Sequence, residues 1–110
     1  MARARHWTFT VNNPENALEF DTRVDNAVWQ LEQGLSGTLH YQGFLSLKTA
    51  GTFNSVRNLL PAGSHIEIAR NIIAAKRYCT KEDTRVGGPY VHEQGNSDDK
   101  SNILQIAKEL

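Results

Sequence analysis

Two stretches, Ala27-Val28-Trp29-Gln30-Leu31-Glu32-Gln33 and Thr38-Leu39-His40-Tyr41-Gln42-Gly43-Phe44-Leu45-Ser46-Leu47-Lys48, flank the tetrapeptide Gly34-Leu35-Ser36-Gly37. Both alternate with the period of two that belongs to a strand, and the glycine-bounded segment between them reads as a hairpin turn. Ala27, Trp29 and Leu31 share one side of the first strand, with Val28, Gln30 and Glu32 on the other. On the second, Leu39, Tyr41, Leu45 and Leu47 face one way, and Thr38, His40, Gln42, Phe44 and Ser46 the other. An antiparallel sheet with one apolar and one polar face is therefore the organising expectation.

Working outward, His6 to Asn12 alternates in the same manner, with Trp7, Phe9 and Val11 on one side, and Pro14 stops it. Glu15 to Asp25 leaves helix and loop both open, because Leu18 and Phe20 alone set no period. Thr52 predicts a helix cap before Phe53, Val56, Leu59 and Leu60, which end at Pro61-Ala62-Gly63. His65 to Ala69 reads as a short strand with Ile66 and Ile68 inward. Asn71 caps a second helix from Ile72 to about Glu82, with a core stripe of Ile72, Ala75 and Cys79. Val86 to His92, interrupted by Gly87-Gly88-Pro89, reads as an edge strand, where proline is tolerated. The result is an α+β class: a central antiparallel β-sheet of about five strands with flanking helices. Residues 94–100 read as a polar linker. Ser101 to Leu110 reads as an amphipathic helix that docks, oligomerises or leads into a further part of a longer protein.

The chain has 110 residues, 39% hydrophobic and 22% charged. That is the size of one domain with a buried core, and it excludes collagen-like, low-complexity and fully disordered classes. No apolar run approaches the ~18–20 residues that span a bilayer, and Met1-Ala2-Arg3-Ala4-Arg5 is not followed by a signal-peptide core, so a soluble, non-secreted chain without a membrane partner is expected. The single cysteine, Cys79, has no partner for a disulfide or a zinc motif and suits a reducing compartment. Neither a Walker sequence nor a dinucleotide-binding glycine fingerprint is present. Twelve basic residues balance twelve acidic ones. Between Lys48 and Lys81, however, six basic residues face a single acid, Glu67, and Arg3 and Arg5 add to them. A local positive surface and a solvated face balanced elsewhere in the fold are both consistent with that distribution.

If the apolar side of each strand turns to the helices, the opposite face collects Thr8, Thr10, Asn12, Gln30, Glu32, His40, Gln42, His65 and Glu67. His40 and Gln42, two apart on one strand, can both reach one ion, and Glu32 on the hairpin partner can add a carboxylate oxygen. One imidazole nitrogen with carboxylate and amide oxygens is a hard donor set that suits Mg²⁺ or Mn²⁺ better than Zn²⁺ or copper. The alternative is that these are ordinary half-exposed strand residues, and His65 with Glu67 forms a competing pair. Tyr78 and Lys81, at i and i+3 on the second helix, share a face, with Ala74 leaving room one turn earlier. A tyrosine acting as nucleophile needs positive charge near its developing phenolate, which Lys81 or a metal supplies; as an alternative, Tyr78 is a surface aromatic. Cys79 belongs to the core stripe.

Three segments resemble motifs I, II and III of the rolling-circle replication initiators of circoviruses, nanoviruses and related small circular single-stranded DNA viruses. They are Phe9-Thr10-Val11-Asn12-Asn13-Pro14, His40-Tyr41-Gln42-Gly43-Phe44 and Tyr78-Cys79-Thr80-Lys81-Glu82-Asp83, in that order. The resemblance covers residues 6 to about 92. It implies an HUH-endonuclease domain of ferredoxin-like (RRM-like) type over residues 1–93, a tyrosine nickase dependent on Mg²⁺ or Mn²⁺. It implies metal binding by Glu32, His40 and Gln42, where Gln42 replaces the second histidine of the broader class, with Tyr78 as nucleophile, Lys81 in support and Asp83 of uncertain role. The partner it implies is single-stranded DNA at a viral origin, a stem-loop nonanucleotide, and the location is the host nucleus. Asn12 and Asn13 would border the DNA groove, and Arg3, Arg5, Lys48, Arg57, Arg70, Lys76 and Arg77 are candidate backbone contacts. The family's full-length proteins continue into a helicase domain, so residues 94–110 would lead towards one and could serve homo-oligomer formation. A non-catalytic single-stranded nucleic-acid-binding module and, less directly, a capsid- or partner-interaction domain are the other classes to separate from this reading.

Overall fold

The computed structural model describes residues 2–93; the linker and amphipathic stretch expected at 94–110 lie outside the described residues. Five strands and two short helices follow the chain in the order β1 (Ala4–Asn12), β2 (Val24–Gln33), β3 (Leu39–Gly51), α1 (Phe53–Arg57), β4 (His65–Ile68), α2 (Ile72–Tyr78) and β5 (Arg85–Glu93). The strands form one antiparallel sheet in the order β4-β1-β3-β2-β5. Its first four members have the order of a ferredoxin-like sheet, and β5 adds an edge beside β2, where its proline removes no ladder bond needed by a further strand.

The hairpin forms as the sequence predicts. Gly37 adopts φ +90°, a conformation that costs glycine least, and its N–H donates to the Gly34 carbonyl at 2.9 Å. That turn pairs Glu32 with His40 and Gln30 with Gln42 across β2 and β3. On the other side of β3, Gln42 pairs with Thr10 and His40 with Asn12. Motif I, motif II and the glutamate strand thus lie on three adjacent strands, the last two joined by the hairpin and the first added by the separate β1–β3 register.

The apolar face holds the main core: Trp7, Phe9, Val11, Val24, Ala27, Trp29, Leu45, Leu47 and Ile66, covered by Val56 and Leu60. The open segment between β1 and β2 is irregular, not helical. Phe20 from that segment closes the core by edge-to-face contacts with Phe9 and Trp29, at centroid distances of 6.1 and 5.3 Å. Thr52 caps α1 as expected, its side chain accepting from the Ser55 N–H, but α1 ends at Arg57. Leu59 and Leu60 follow in tight i→i−3 turns. These turns still bring Leu60 onto the sheet, so burial, not helical continuity, determines the path.

One expectation is corrected. The helices do not share the apolar side: α1 covers that face, whereas α2 crosses the polar one, with Lys76 Nζ 5.4 Å from the centroid of the Phe44 ring. Phe44, on that face, and Cys79, the C-cap of α2, are both fully buried. α2 is also shorter than predicted, ending at Tyr78 with Cys79 as its C-cap, so Lys81 follows the helix instead of sharing its face with Tyr78.

Gly43 shows how tightly the main face is closed. It pairs with Phe9 on one side and Trp29 on the other, and a Cβ placed on it would fall within the Phe9 ring. Gly43→Ala should therefore cost about 1–3 kcal/mol by overpacking. Thermal unfolding should show a clear drop in midpoint, while Gly34→Ala, whose added Cβ meets nothing closer than 3.9 Å, should move little.

Candidate active site

The polar face reads differently once α2 lies across it. Gln30, Glu32 and Gln42 are all buried, with Glu32 only 2% exposed. A carboxylate removed from water must be compensated by donors, and Glu32 has three. Its Oε2 accepts from Gln30 Nε2 at 2.8 Å. Its Oε1 accepts from Lys81 Nζ at 3.1 Å and is paired with His40 Nε2 at the same distance. Burial alone would push the Glu32 carboxyl up, but the hydrogen bonds from Gln30, Lys81 and His40, with the Lys81 charge, outweigh it and hold the group below its ordinary value.

Lys81 joins two parts of the site. Besides Glu32, its Nζ donates to Thr84 Oγ1 at 3.2 Å and lies 5.0 Å from the centroid of the Tyr78 ring. Tyr78, at the end of α2, is 54% exposed. The expected association of Tyr78 with Lys81 is present, through the turn after the helix. Glu32, His40, Lys81 and Tyr78 therefore converge.

Gln42 is on the same face, two residues after His40, but its side chain turns towards β1. Its Oε1 accepts from Thr10 Oγ1 at 3.1 Å and its Nε2 donates to the Phe9 carbonyl at 3.2 Å. His65 and Glu67 pair with each other at 2.9 Å, both well exposed, on β4 two strands away from His40. Asp83 is exposed in the turn before β5. Among the described residues, no group of three His, Cys, Asp or Glu side chains converges as a metal site. Of the three expected ligands the structure brings together Glu32 and His40, while the Gln42 amide is engaged by β1.

The candidate DNA contacts are spread over the molecule. Asn12 and Asn13 are exposed at the end of β1 beside His40, and Asn13 takes φ +50°, its N–H donating to the Leu39 carbonyl. Lys76 and Arg77 are on α2, and Arg70 precedes it. Arg57 ends α1 on the other face. Arg3 and Lys48 line a cleft of about 660 Å³ with Arg23, at the end of β3 remote from His40. Arg5 is tied down, donating to the Leu47 carbonyl at 2.9 Å and lying 4.0 Å from Asp25. Arg23 is held by Asp21, whose carboxyl that guanidinium brings down to about 2. The positive surface is thus distributed over two faces instead of forming one stripe.

Two polar residues of the site were given no part by motif reading. Gln30 has no exposed surface, and its Nε2 also donates to the Lys81 carbonyl at 2.7 Å. Arg85, at the start of β5, donates to Gln30 Oε1 and to the Thr80 carbonyl, both at 3.4 Å. Strand alternation puts Gln30 on the right face, but only the fold brings the 79–84 segment against it.

A family model for viral replication proteins matches residues 4–82, a span containing every strand named above except β5. The chain belongs to the viral replication protein family. It is 30% identical over 105 residues to the master replication protein of banana bunchy top virus. It is 38% and 40% identical over 85 residues to those of faba bean necrotic yellows virus and subterranean clover stunt virus. Those matches cover 94% and 76% of this chain but only 36% and 29% of the relatives, so the chain spans about a third of their length. The family is the one that the three sequence motifs resemble, the replication initiators (Rep proteins) of small circular single-stranded DNA viruses. The five-stranded antiparallel sheet agrees with the α+β, HUH-endonuclease-like fold expected for a Rep domain. No helix among the described residues is long and apolar enough to cross a membrane.

Two outcomes follow from the buried charges. Lys81→Met should destabilise the domain at neutral pH by about 1–3 kcal/mol, because it removes one of the donors of a buried carboxylate. Since the folded-state value of Glu32 is lowered, its stabilising contribution is present above the ordinary carboxylate range and is lost as pH falls through that lowered value. Urea unfolding should therefore show the gap between wild type and Lys81→Met narrowing in acid; a gap independent of pH would contradict the pairing. Burial also pushes the Cys79 thiol up to about 12. Iodoacetamide at mildly alkaline pH should accordingly label native Cys79 more than about a hundredfold more slowly than the urea-unfolded chain.

Proposed function

We propose that this Rep domain nicks and rejoins single-stranded DNA at a viral origin, with Tyr78 as nucleophile and Mg²⁺ or Mn²⁺ held by Glu32, His40 and Gln42. The observation that carries the reading is the position of Lys81 Nζ. One ammonium lies 3.1 Å from the buried Glu32 oxygen and 5.0 Å from the Tyr78 ring, joining the candidate metal ligands to the candidate nucleophile. Family membership and the three motifs support it independently.

The donor chemistry fits a hard divalent ion. Glu32 is ionised and shares its Oε1 with His40, while Gln42 can add an amide oxygen by turning from Thr10. Such an ion, when bound, supplies Lewis-acid charge at a non-bridging phosphate oxygen. The chain's own residues do the rest. The Tyr78 hydroxyl gives up its proton and its oxygen attacks the scissile phosphorus. The bond from phosphorus to the 3′ oxygen breaks, that oxygen takes a proton as a free 3′-OH, and the 5′ phosphate remains on Tyr78. Attack by a 3′-OH on the phosphotyrosine reverses these steps and rejoins the strand, because the phosphodiester bond has been exchanged instead of hydrolysed. Lys81 provides positive charge beside both the phenol and the phosphate.

The substrate must be unpaired where it is cut. On the polar face β1 carries half-buried Thr8 and Thr10 and exposed Asn12, which suits backbone and base-edge contacts to a single strand better than a duplex surface. The test is incubation with an oligonucleotide carrying a candidate origin nonanucleotide, with Mn²⁺ or with chelator, followed by denaturing electrophoresis and peptide mass mapping. A metal-dependent adduct on Tyr78 is expected. Tyr78→Phe should abolish the adduct and retain DNA binding, whereas His40→Ala should reduce adduct formation by about a hundredfold or more. Adduct formation that persists in Tyr78→Phe would overturn the assignment. Binding without any adduct, across a panel of oligonucleotides carrying candidate origin nonanucleotides, would favour a non-catalytic binding module.

A further inference from the structure

We infer that Gln30 is a positioning residue that aligns the Glu32 carboxylate for the divalent ion and ties the Lys81 segment to it, an inference that rests on the nickase reading above. Gln30 sits at the centre of β2, has no exposed surface, and has every polar atom engaged. Its Nε2 faces two acceptors, Glu32 Oε2 at 2.8 Å and the Lys81 carbonyl at 2.7 Å, while its Oε1 faces the guanidinium of Arg85 at 3.4 Å. Only one orientation of the amide satisfies all three neighbours, because two carbonyl-type oxygens need donors and a guanidinium needs an acceptor.

The consequence for Glu32 is specific. With Oε2 occupied by Gln30, the carboxylate plane is set, and Oε1 is the oxygen left facing His40 Nε2 and Lys81 Nζ. The same amide fixes the backbone of Lys81, so the carboxylate and the ammonium are placed against each other by one side chain. An outer partner of this kind preserves ligand orientation without touching the ion or the substrate, and its removal weakens metal binding more than it weakens the fold around it. A glutamine filling buried space would have no such effect on a ligand.

The experiment measures Mn²⁺ affinity by the electron paramagnetic resonance signal of free Mn²⁺, in wild type, Gln30→Met, Glu32→Gln and the double variant. Gln30→Met should bind Mn²⁺ about 10- to 100-fold more weakly, and excess Mn²⁺ should restore most of its adduct formation on Tyr78. The double variant should bind no more weakly than Glu32→Gln alone, because Gln30 acts through Glu32. Unchanged Mn²⁺ affinity in a Gln30→Met protein with native near-ultraviolet circular dichroism would overturn the inference, as would additive losses in the double variant. Should Gln30→Met fail to fold, Arg85→Met, which releases Gln30 Oε1 from a half-buried position, should show a smaller loss of the same kind; no loss would overturn the inference. Wild type that neither binds Mn²⁺ nor forms the adduct would overturn the nickase reading itself. Wild type that does both, beside a Gln30→Met protein of unchanged affinity, would overturn only the role of Gln30.

Discussion

A carboxylate held out of water is stable only where the surrounding fold delivers donors to it, and Glu32 takes its donors from three separate parts of the chain. Gln30 comes from its own strand, His40 from the hairpin partner, and Lys81 from the turn after α2. Each must be in place, because an uncompensated buried charge would cost several kcal/mol. This requirement ties the 79–84 segment to the sheet. The Gln33 N–H, donating to the Thr84 carbonyl at 3.0 Å, adds a backbone tie at the same point. The Lys81 ammonium that helps to make the carboxylate tolerable is therefore also the one that lies 5.0 Å from the centroid of the Tyr78 ring.

The helix carrying Tyr78 depends on that arrangement to an unusual degree. α2 has seven residues, none of them buried, so it has little hydrophobic anchorage of its own. An isolated helix of that length would be marginal in water. It is held at its ends, by the Asn71 cap accepting from the Ala74 N–H and by Cys79 inserting beside the sheet. Between them Lys76 lies over the Phe44 ring, and Ile72 and Ala75 are half-buried. Tyr78 therefore stays exposed at a defined place, next to a carboxylate that is not. On the proposed reading, these two depths would let Tyr78 meet a polymeric substrate while Glu32 stays shielded from bulk water.

The division of the sheet separates the residues that hold its shape from those of the candidate site. The apolar face, with Trp7, Phe9 and Trp29 around Gly43, supports the shape, and its partners α1 and Phe20 cover it completely enough to leave the other face for polar work. On that other face, Phe44 and Cys79 are the apolar residues that let α2 sit down without closing the site.

Much of this was legible in the residues themselves. Period-two alternation assigned β1, β2 and β3 and their two faces, since a side chain on a strand has only two directions to take. Gly34 and Gly37 marked the turn that sets Glu32 opposite His40. The family resemblance selected Tyr78, Lys81, His40 and Gln42 from its motifs and Glu32 as the upstream acid, and the structure links Glu32, His40, Lys81 and Tyr78 while the Gln42 amide turns away. Alternation cannot say what covers a face, and for that reason both helices were expected on the apolar side. Nor can it say that α2 stops at Tyr78, because Lys81 is drawn out of helical register by a carboxylate 49 residues away. Local pattern determines which way a side chain points. Which distant group it meets is decided by the burial of charge and the packing of α2, and that is where Gln30 and Arg85 enter the site and Gln42 turns towards Thr10.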